Sequence, residues 1–173
     1  YHYLSESHVL EQRASFSDDV WRSFAMSLPE GSFLVGLSSV IWREAWKYGE
    51  RAFRYCQHDV GHAVAALRFS AVYSGWTFRL VSSWSTEDIA QLLGVNREDE
   101  FCEEELEEAE LLAVVTPSTS SEASGPWLPP PDDTTMQQIR EATWYGQPNQ
   151  LSGSHVCWPV IEEVAIATKM PRT

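Results

Sequence analysis

His58 and His62 stand four residues apart, with Asp59 between them, in the run Cys56-Gln57-His58-Asp59-Val60-Gly61-His62. On a helix that spacing puts both imidazoles on one face, which is how paired zinc ligands are presented. A zinc hydrolase of the metalloprotease type also needs Glu directly after the first His, and a third ligand. Here Asp59-Val60-Gly61 follows His58, and the third donor would have to be Cys56 or His155. The pair is read instead as hydrogen-bonding groups at the polar end of a helix. No metal is expected, and zinc hydrolysis stands third among the alternatives.

Just upstream, Arg43, Lys47, Arg51 and Arg54 recur at helical spacing, interleaved with Glu44 and Glu50. The plain reading is a salt-bridged helix face. The functional reading is a site for an anion or a partner's carboxylate, because arginine presents a planar bidentate fork. Trp42, Trp46, Tyr48, Phe53 and Tyr55 crowd the same stretch, and aromatics among cations suit a planar ligand or a tight subunit interface. Other chemistries have less support. No nucleophile elbow or glycine-rich phosphate loop is present, and Cys56 lies within a helix without an activating neighbour. The acidic run 98–110 lacks the alternating oxygen ligands and turn glycine of a calcium loop and reads as a solvated face and linker.

These groups need elements to hold them. Tyr1–Leu4 reads as a short strand. Ser17 suits the N-cap of a helix near 18–28, closed by Pro29-Glu30-Gly31. Phe33–Leu37 is a compact apolar run expected as a buried strand, and 40–48 puts Ile41, Ala45 and Tyr48 on one helical side. A long helix from about Glu50 to Ser74 carries the histidines. Its alanine-rich second half is apolar nearly all round, which predicts a buried central helix. Gly61 and Ala65 form a smooth strip for close approach of another helix, and Gly75 suits the C-cap. Thr77–Ser82 alternates as a strand, Ser85 caps a helix that Gly94 stops, and Leu111–Val115 reads as a buried strand. Residues 116–133 are rich in Ser, Thr and Pro and are expected as an exposed loop. Helices near 134–144 and 158–168 finish the chain. The class is α+β or α/β, with helices outnumbering strands.

At 173 residues, 43% of them hydrophobic, the chain is long enough for one domain with a real core. Its net charge of −13 is concentrated: residues 98–110 hold nine acids and no base, which leaves −4 elsewhere. Such a chain lacks the basic stripe that nucleic acid demands, so nucleic-acid binding is not expected. No apolar run is long enough to span a membrane, and no signal peptide is seen. Three scattered cysteines (Cys56, Cys102 and Cys157) fit reduced thiols in a cytoplasmic compartment.

The segment Trp42–Tyr55 with Asp59-Val60-Gly61-His62 resembles the SagB-type dehydrogenase branch of the nitroreductase-like flavoproteins. That branch shows a Tyr/Arg-Gly-Glu-Arg-x-x-Arg-Tyr run, then acid-x-Gly-His, then an alanine-rich helix ending in glycine. Here these are Lys47-Tyr48-Gly49-Glu50-Arg51-Ala52-Phe53-Arg54-Tyr55, Asp59-Val60-Gly61-His62 and Gly75-Trp76, the last where the family has Gly-Leu-Gly. Tyr1-His2-Tyr3, Ile89–Gly94 and Leu111–Val115 follow in family order, so the likeness covers about residues 1–117. The tail Leu151–Thr173 is similar to the linker of two-part members.

The resemblance implies an α+β, nitroreductase-like fold, helix-rich around a small central sheet and incomplete here. It implies 1–117 as the C-terminal portion of such a domain, 118–133 as a loop, and 134–173 as a helical tail or linker. It further implies an FMN-dependent oxidoreductase, with NAD(P)H as a possible electron donor and a small molecule or peptide as substrate. The chain would work as a homodimer or beside a second nitroreductase-like half, with the long helix in the shared core. Arg51 and Arg54 would anchor near the flavin or the interface, Asp59 and His62 would shape the pocket, and Gly75 and Trp76 would lie beside the ring system. The family's phosphate and flavin motifs fall before the position of Tyr1, so a fragment of a longer protein is expected. The alternative is a non-catalytic dimerisation or scaffold half without flavin.

Overall fold

Ser17 closes the first turn of helix α1 (Asp18–Ala25) by accepting a hydrogen bond from the Val20 amide at 3.4 Å, and Asp18 and Asp19 suit the positive end of the helix. Val20 and Phe24, one turn apart, are its buried face. The computed structural model describes residues 1–97, 106–119, 128–148, 156 and 158–172. Helices and strands are mixed, and the sheets are small and antiparallel.

Before α1 come three short strands, β1 (His2–Leu4), β2 (Val9–Glu11) and β3 (Ala14–Ser15); the first two pair as a hairpin. After it come β4 (Phe33–Ser39), α2 (Ile41–Tyr48), a 3-10 turn (Gly49–Arg51) and the 22-residue helix α3 (Ala52–Tyr73). The chain continues through β5 (Trp76–Leu80), α4 (Thr86–Leu93), β6 (Glu108–Pro117), α5 (Asp133–Arg140), β7 (Thr143–Trp144) and α6 (Pro159–Ala167). The main sheet is ordered β4-β6-β5, antiparallel throughout, and β3 pairs with β7.

Strand β6 lies between two neighbours, which is why its run from Leu112 to Thr116 is buried. Leu34 and Gly36 of β4 pair with Val114 and Leu112 and face α4; a Cβ on Gly36 would overlap Leu93. The main core unites Val20, Phe24, Trp84, Ile89, Leu112, Val114, Leu128, Met136 and Ile139. A second cluster joins α2, α3 and α6 through Ile41, Ala45, Ala52, Cys56, Ile161 and Ala165. Trp84 is fully buried, and its indole N–H donates to the carbonyls of Leu128 (3.3 Å) and Pro129 (3.1 Å). Helix α4 begins with a reciprocal capping box between Ser85 and Asp88 and ends at Gly94, whose φ is +74°.

Several expectations need correction. Helix α3 is not buried all round: only Ala52, Cys56 and Ala71 are, while Phe69, Val72 and Tyr73 are 78%, 67% and 95% exposed. An apolar sequence tolerates burial, but one chain supplies only one covering layer. The end of the acidic run is not linker, since Glu108–Glu110 opens β6; Glu108 pairs with Lys169 at 3.3 Å and Glu110 accepts from Gln57. Residues 98–105 lie outside the described residues. The Ser/Pro-rich stretch ends in the core, because Leu128 is buried and Ser83 donates to its carbonyl at 2.8 Å; residues 120–127 are not described. The helix expected over 134–144 stops at Arg140, and Thr143–Trp144 pairs with β3. Among the described residues no helix is long and apolar enough to cross a membrane.

Candidate functional site

The elbow between α2 and α3 gathers the cations and aromatics. Gly49 makes the bend at φ +57°, and the space beside it is taken by the Trp158 ring. The bend brings Tyr48 against Tyr55, with ring centroids 4.6 Å apart. Lys47 lies over the Tyr48 ring (4.9 Å to its centroid) and Arg54 over the Tyr55 ring (5.4 Å). The neighbouring Tyr48 side chain raises Lys47 above the ordinary lysine range. Arg51 is exposed in the 3-10 turn, and α3 starts with no acid in its first turn. Among the described residues, none of Arg43, Lys47, Arg51 and Arg54 reaches a carboxylate within 4.0 Å, and Glu44 and Glu50 take no ion pair either. The salt-bridged face that the spacing suggested does not form.

One turn further along α3, His62 Nδ1 lies 3.5 Å from Asp59 Oδ1, an i,i+3 pair with both side chains exposed. His58 is exposed as well. Cys56 is buried, and two residues of helix turn the chain by about 200°, so its thiol points away from His58. Burial pushes that thiol up to about 11, which makes it a poor ligand and a poor nucleophile at neutral pH. Among the described residues no three His, Cys, Asp or Glu side chains converge as a metal site. His155, Cys102 and Cys157 lie outside the described residues.

Gly75 and Trp76 are at the other end of α3. Gly75 has φ +76°, its carbonyl accepts from the Ser118 amide at 3.0 Å, and nothing lies within 4 Å of where a Cβ would sit. Trp76 is half-buried and meets Phe33 edge to face, with centroids 5.6 Å apart. At 1.5 Å rise per residue, Arg54 and Gly75 are separated by about 30 Å along the helix. One chain therefore brings the Tyr48 and Tyr55 rings together at the elbow and Asp59 to His62, and leaves Gly75 and Trp76 far from both.

The outward face of α3 joins the two ends. It reads Arg54, His58, Gly61/His62, Ala65, Phe69, Val72/Tyr73: polar first, then small, then large and apolar, all exposed. Gly61 has nothing within 4 Å of an added Cβ.

A cleft of about 380 Å³ opens elsewhere, between α4, α5 and the segment Lys169–Arg172. Arg172 is its clasp, 2.7 Å from Asp133 and 3.7 Å from the buried Asp88. Met170 adds two bonds to Thr86, one donated by its amide and one accepted by its carbonyl. Of this arrangement only the Ser85-x-x-Asp88 cap has a sequence signal; the partner 84 residues away has none.

No family model, no curated protein and no solved structure matches this chain.

Proposed function

We propose that the chain is an FMN-dependent oxidoreductase of the nitroreductase-like, SagB-type kind, working as a homodimer or beside a second half of the same type. The observation that carries this reading is the bare outward face of α3, taken with the residues at its two ends. Arg51 and Arg54 suit an anionic group, Gly75 leaves open space beside the Trp76 indole, and about 30 Å of helix separates them. A flavin is too short to touch both ends in one chain. Two copies of α3 packed antiparallel would set the cationic end of one against the glycine–tryptophan end of the other. The small residues Gly61 and Ala65 would lie near the crossing, where close approach is needed.

FMN, when bound, would supply the hydride and electron chemistry. The chain's own residues would bind and orient it. Arg51 and Arg54 would hold anionic oxygens, Asp59 would fix the orientation of His62 at the pocket edge, and Trp76 would flank the ring system. Phe69, Val72 and Tyr73 would exclude water once covered. The electron donor would be NAD(P)H, and the substrate a small molecule or a peptide.

The test is direct. Purified protein is mixed with FMN, and binding is read from flavin fluorescence quenching alongside the oligomeric state by light scattering. The expected result is a yellow, dimeric protein. A colourless dimer that ignores FMN, even with an upstream flavin-binding segment supplied, would sink the enzyme reading and leave a scaffold half.

A further inference from the structure

Of the three cations that line the cleft between α4 and α5, two are neutralised and one is not. Arg172 lies 2.7 Å from Asp133 and 3.7 Å from Asp88, and Lys169 lies 3.3 Å from Glu108. Arg140 reaches no carboxylate within 4.0 Å among the described residues. Its Nη2 donates instead to the side-chain oxygen of Gln91, at 3.2 Å. Gln91 is only 5% exposed, and its amide nitrogen donates to the Met136 carbonyl, which fixes the way its oxygen points. A buried amide therefore holds the Arg140 guanidinium at the cleft wall and leaves its other N–H donors open. On α5 the cleft-lining residues Asp133, Met136, Gln137 and Arg140 recur at three and four residues, a stripe about 10 Å long. Met170 and Pro171 supply an apolar part of the wall.

We infer that this cleft binds a small organic monocarboxylate, with its carboxylate on Arg140 and its apolar body between Met136 and the Met170–Pro171 segment. A guanidinium is a planar fork that pairs with a carboxylate through two parallel hydrogen bonds, and one such fork takes one carboxylate. The thioethers of Met136 and Met170 adapt to an apolar body of irregular shape. At about 380 Å³ the cleft is within the range of small-molecule sites. The charge balance selects a monoanion. Glu87, one turn before Gln91, and Asp133, two turns before Arg140, put negative charge at the other end, where Asp88 is already matched to Arg172. A dianion such as a phosphate group would face those carboxylates with a single free cation to offset them. The site lies on α4 and α5, away from both ends of α3, so the inference does not rest on the flavin reading.

The experiment titrates the full chain with 4-phenylbutyrate and with its neutral amide, 4-phenylbutanamide, by isothermal calorimetry. The proteins are the unmodified chain, Arg140→Gln, Arg172→Gln, and Arg68→Gln as a control for a cation on α3. All three arginines are exposed, so the core is spared, and folding is checked by circular dichroism. The expected result for the unmodified chain is the acid bound about tenfold more tightly than the amide, with the difference shrinking as salt is added. Arg140→Gln should remove that preference, and Arg68→Gln should keep it. Arg172→Gln releases the clasp that holds the Met170–Pro171 wall, so it should weaken acid and amide together and leave their ratio unchanged. Acid and amide bound alike by the unmodified chain would overturn the inference, as would no binding at millimolar ligand. A preference that survives in Arg140→Gln would also overturn it, because the carboxylate would then be held elsewhere. Undiminished binding in Arg172→Gln would remove the ligand from this cleft.

Discussion

Cys56 is buried on the inner side of α3, among Ile41, Ala45, Ala52, Ile161 and Ala165, and its thiol is raised from 9.0 to about 11, chiefly by desolvation. Two measurable consequences follow. At neutral pH the folded chain protects this thiol, so alkylation of Cys56 by iodoacetamide, mapped by peptide mass spectrometry, is expected only after denaturant is added. The burial also sets a direction with pH. The neutral thiol contributes its full stability below pH 9, and that contribution is lost as pH rises between 9 and about 11, because the unfolded chain releases its proton first. Chemical denaturation at about pH 8 and about pH 10.5 should therefore show a smaller alkaline loss for Cys56→Ala than for the unmodified chain; equal losses would refute the assignment. At Ser85 the expectation is simpler. Ser85→Ala removes the cap of α4 and deprives buried Asp88 of its 2.7 Å hydrogen bond, with a cost of about 1–2 kcal/mol by urea melt. That cap was legible in the sequence, since Ser followed three residues later by an acid needs only local geometry. The clasp of Arg172 on Asp88 and Asp133 was not, because nothing local to residue 172 says which helix end it will meet.

Helix α3 shows both the reach and the limit of pattern reading. Its extent, its glycine terminator and the elbow before it follow from helical spacing and from the tolerance of glycine for positive φ at Gly49 and Gly75. The inner face is also orderly: Ala52, Cys56, Val60, Ala63, Leu67 and Ala71 recur at three and four residues. What the pattern leaves open is how many layers cover the helix. Alanine-rich, all-round apolarity is compatible with burial on every side, yet the folded chain covers one side and exposes Phe69, Val72 and Tyr73. The same limit applies to the cations of the elbow. Spacing of Arg43, Lys47, Glu44 and Glu50 suggests i,i+3 and i,i+4 ion pairs, but stacking on Tyr48 and Tyr55 draws Lys47 and Arg54 elsewhere. A large exposed apolar face on a helix marks an interaction surface, and the prediction belongs to the helix as a unit. Phe69→Glu combined with Val72→Glu should leave the circular dichroism spectrum of the folded chain unchanged, since neither side chain is in a core. If α3 forms the proposed dimer interface, the unmodified chain sediments as a dimer and the same variant as a monomer. A variant that remains dimeric would remove α3 from the interface.

Across the whole molecule the main core depends on parts far apart in sequence. Val20 and Phe24 come from α1, Trp84 from the approach to α4, Leu112 and Val114 from the central strand, and Leu128, Met136 and Ile139 from the last third of the chain. The sequence signals for this third, a Ser/Pro-rich stretch and a short helix, describe local flexibility and helix propensity; they say nothing about docking. Docking is decided by Trp84, whose indole N–H is out of reach of water and takes its acceptors from Leu128 and Pro129. Leaving that donor unpaired costs about 1–3 kcal/mol, and removing the apolar groups beside it adds the loss of packing. Ile139→Ala, at a fully buried site in α5, should therefore destabilise the whole chain by about 2–5 kcal/mol, the range for buried isoleucine truncation. If α5 were an independent tail, the same substitution would melt α5 alone and leave the main unfolding transition, followed by the summed fluorescence of the eight tryptophans, in place. Cutting the chain after Thr119 extends the test. The shortened protein keeps the three-stranded sheet and both helices of the elbow but exposes Val20, Phe24 and Trp84 together. It is expected to lose cooperative unfolding by circular dichroism and to bind a hydrophobic dye. A cooperative melt at an unchanged temperature would show instead that residues 1–119 form a self-sufficient unit, with the remaining third merely resting on it.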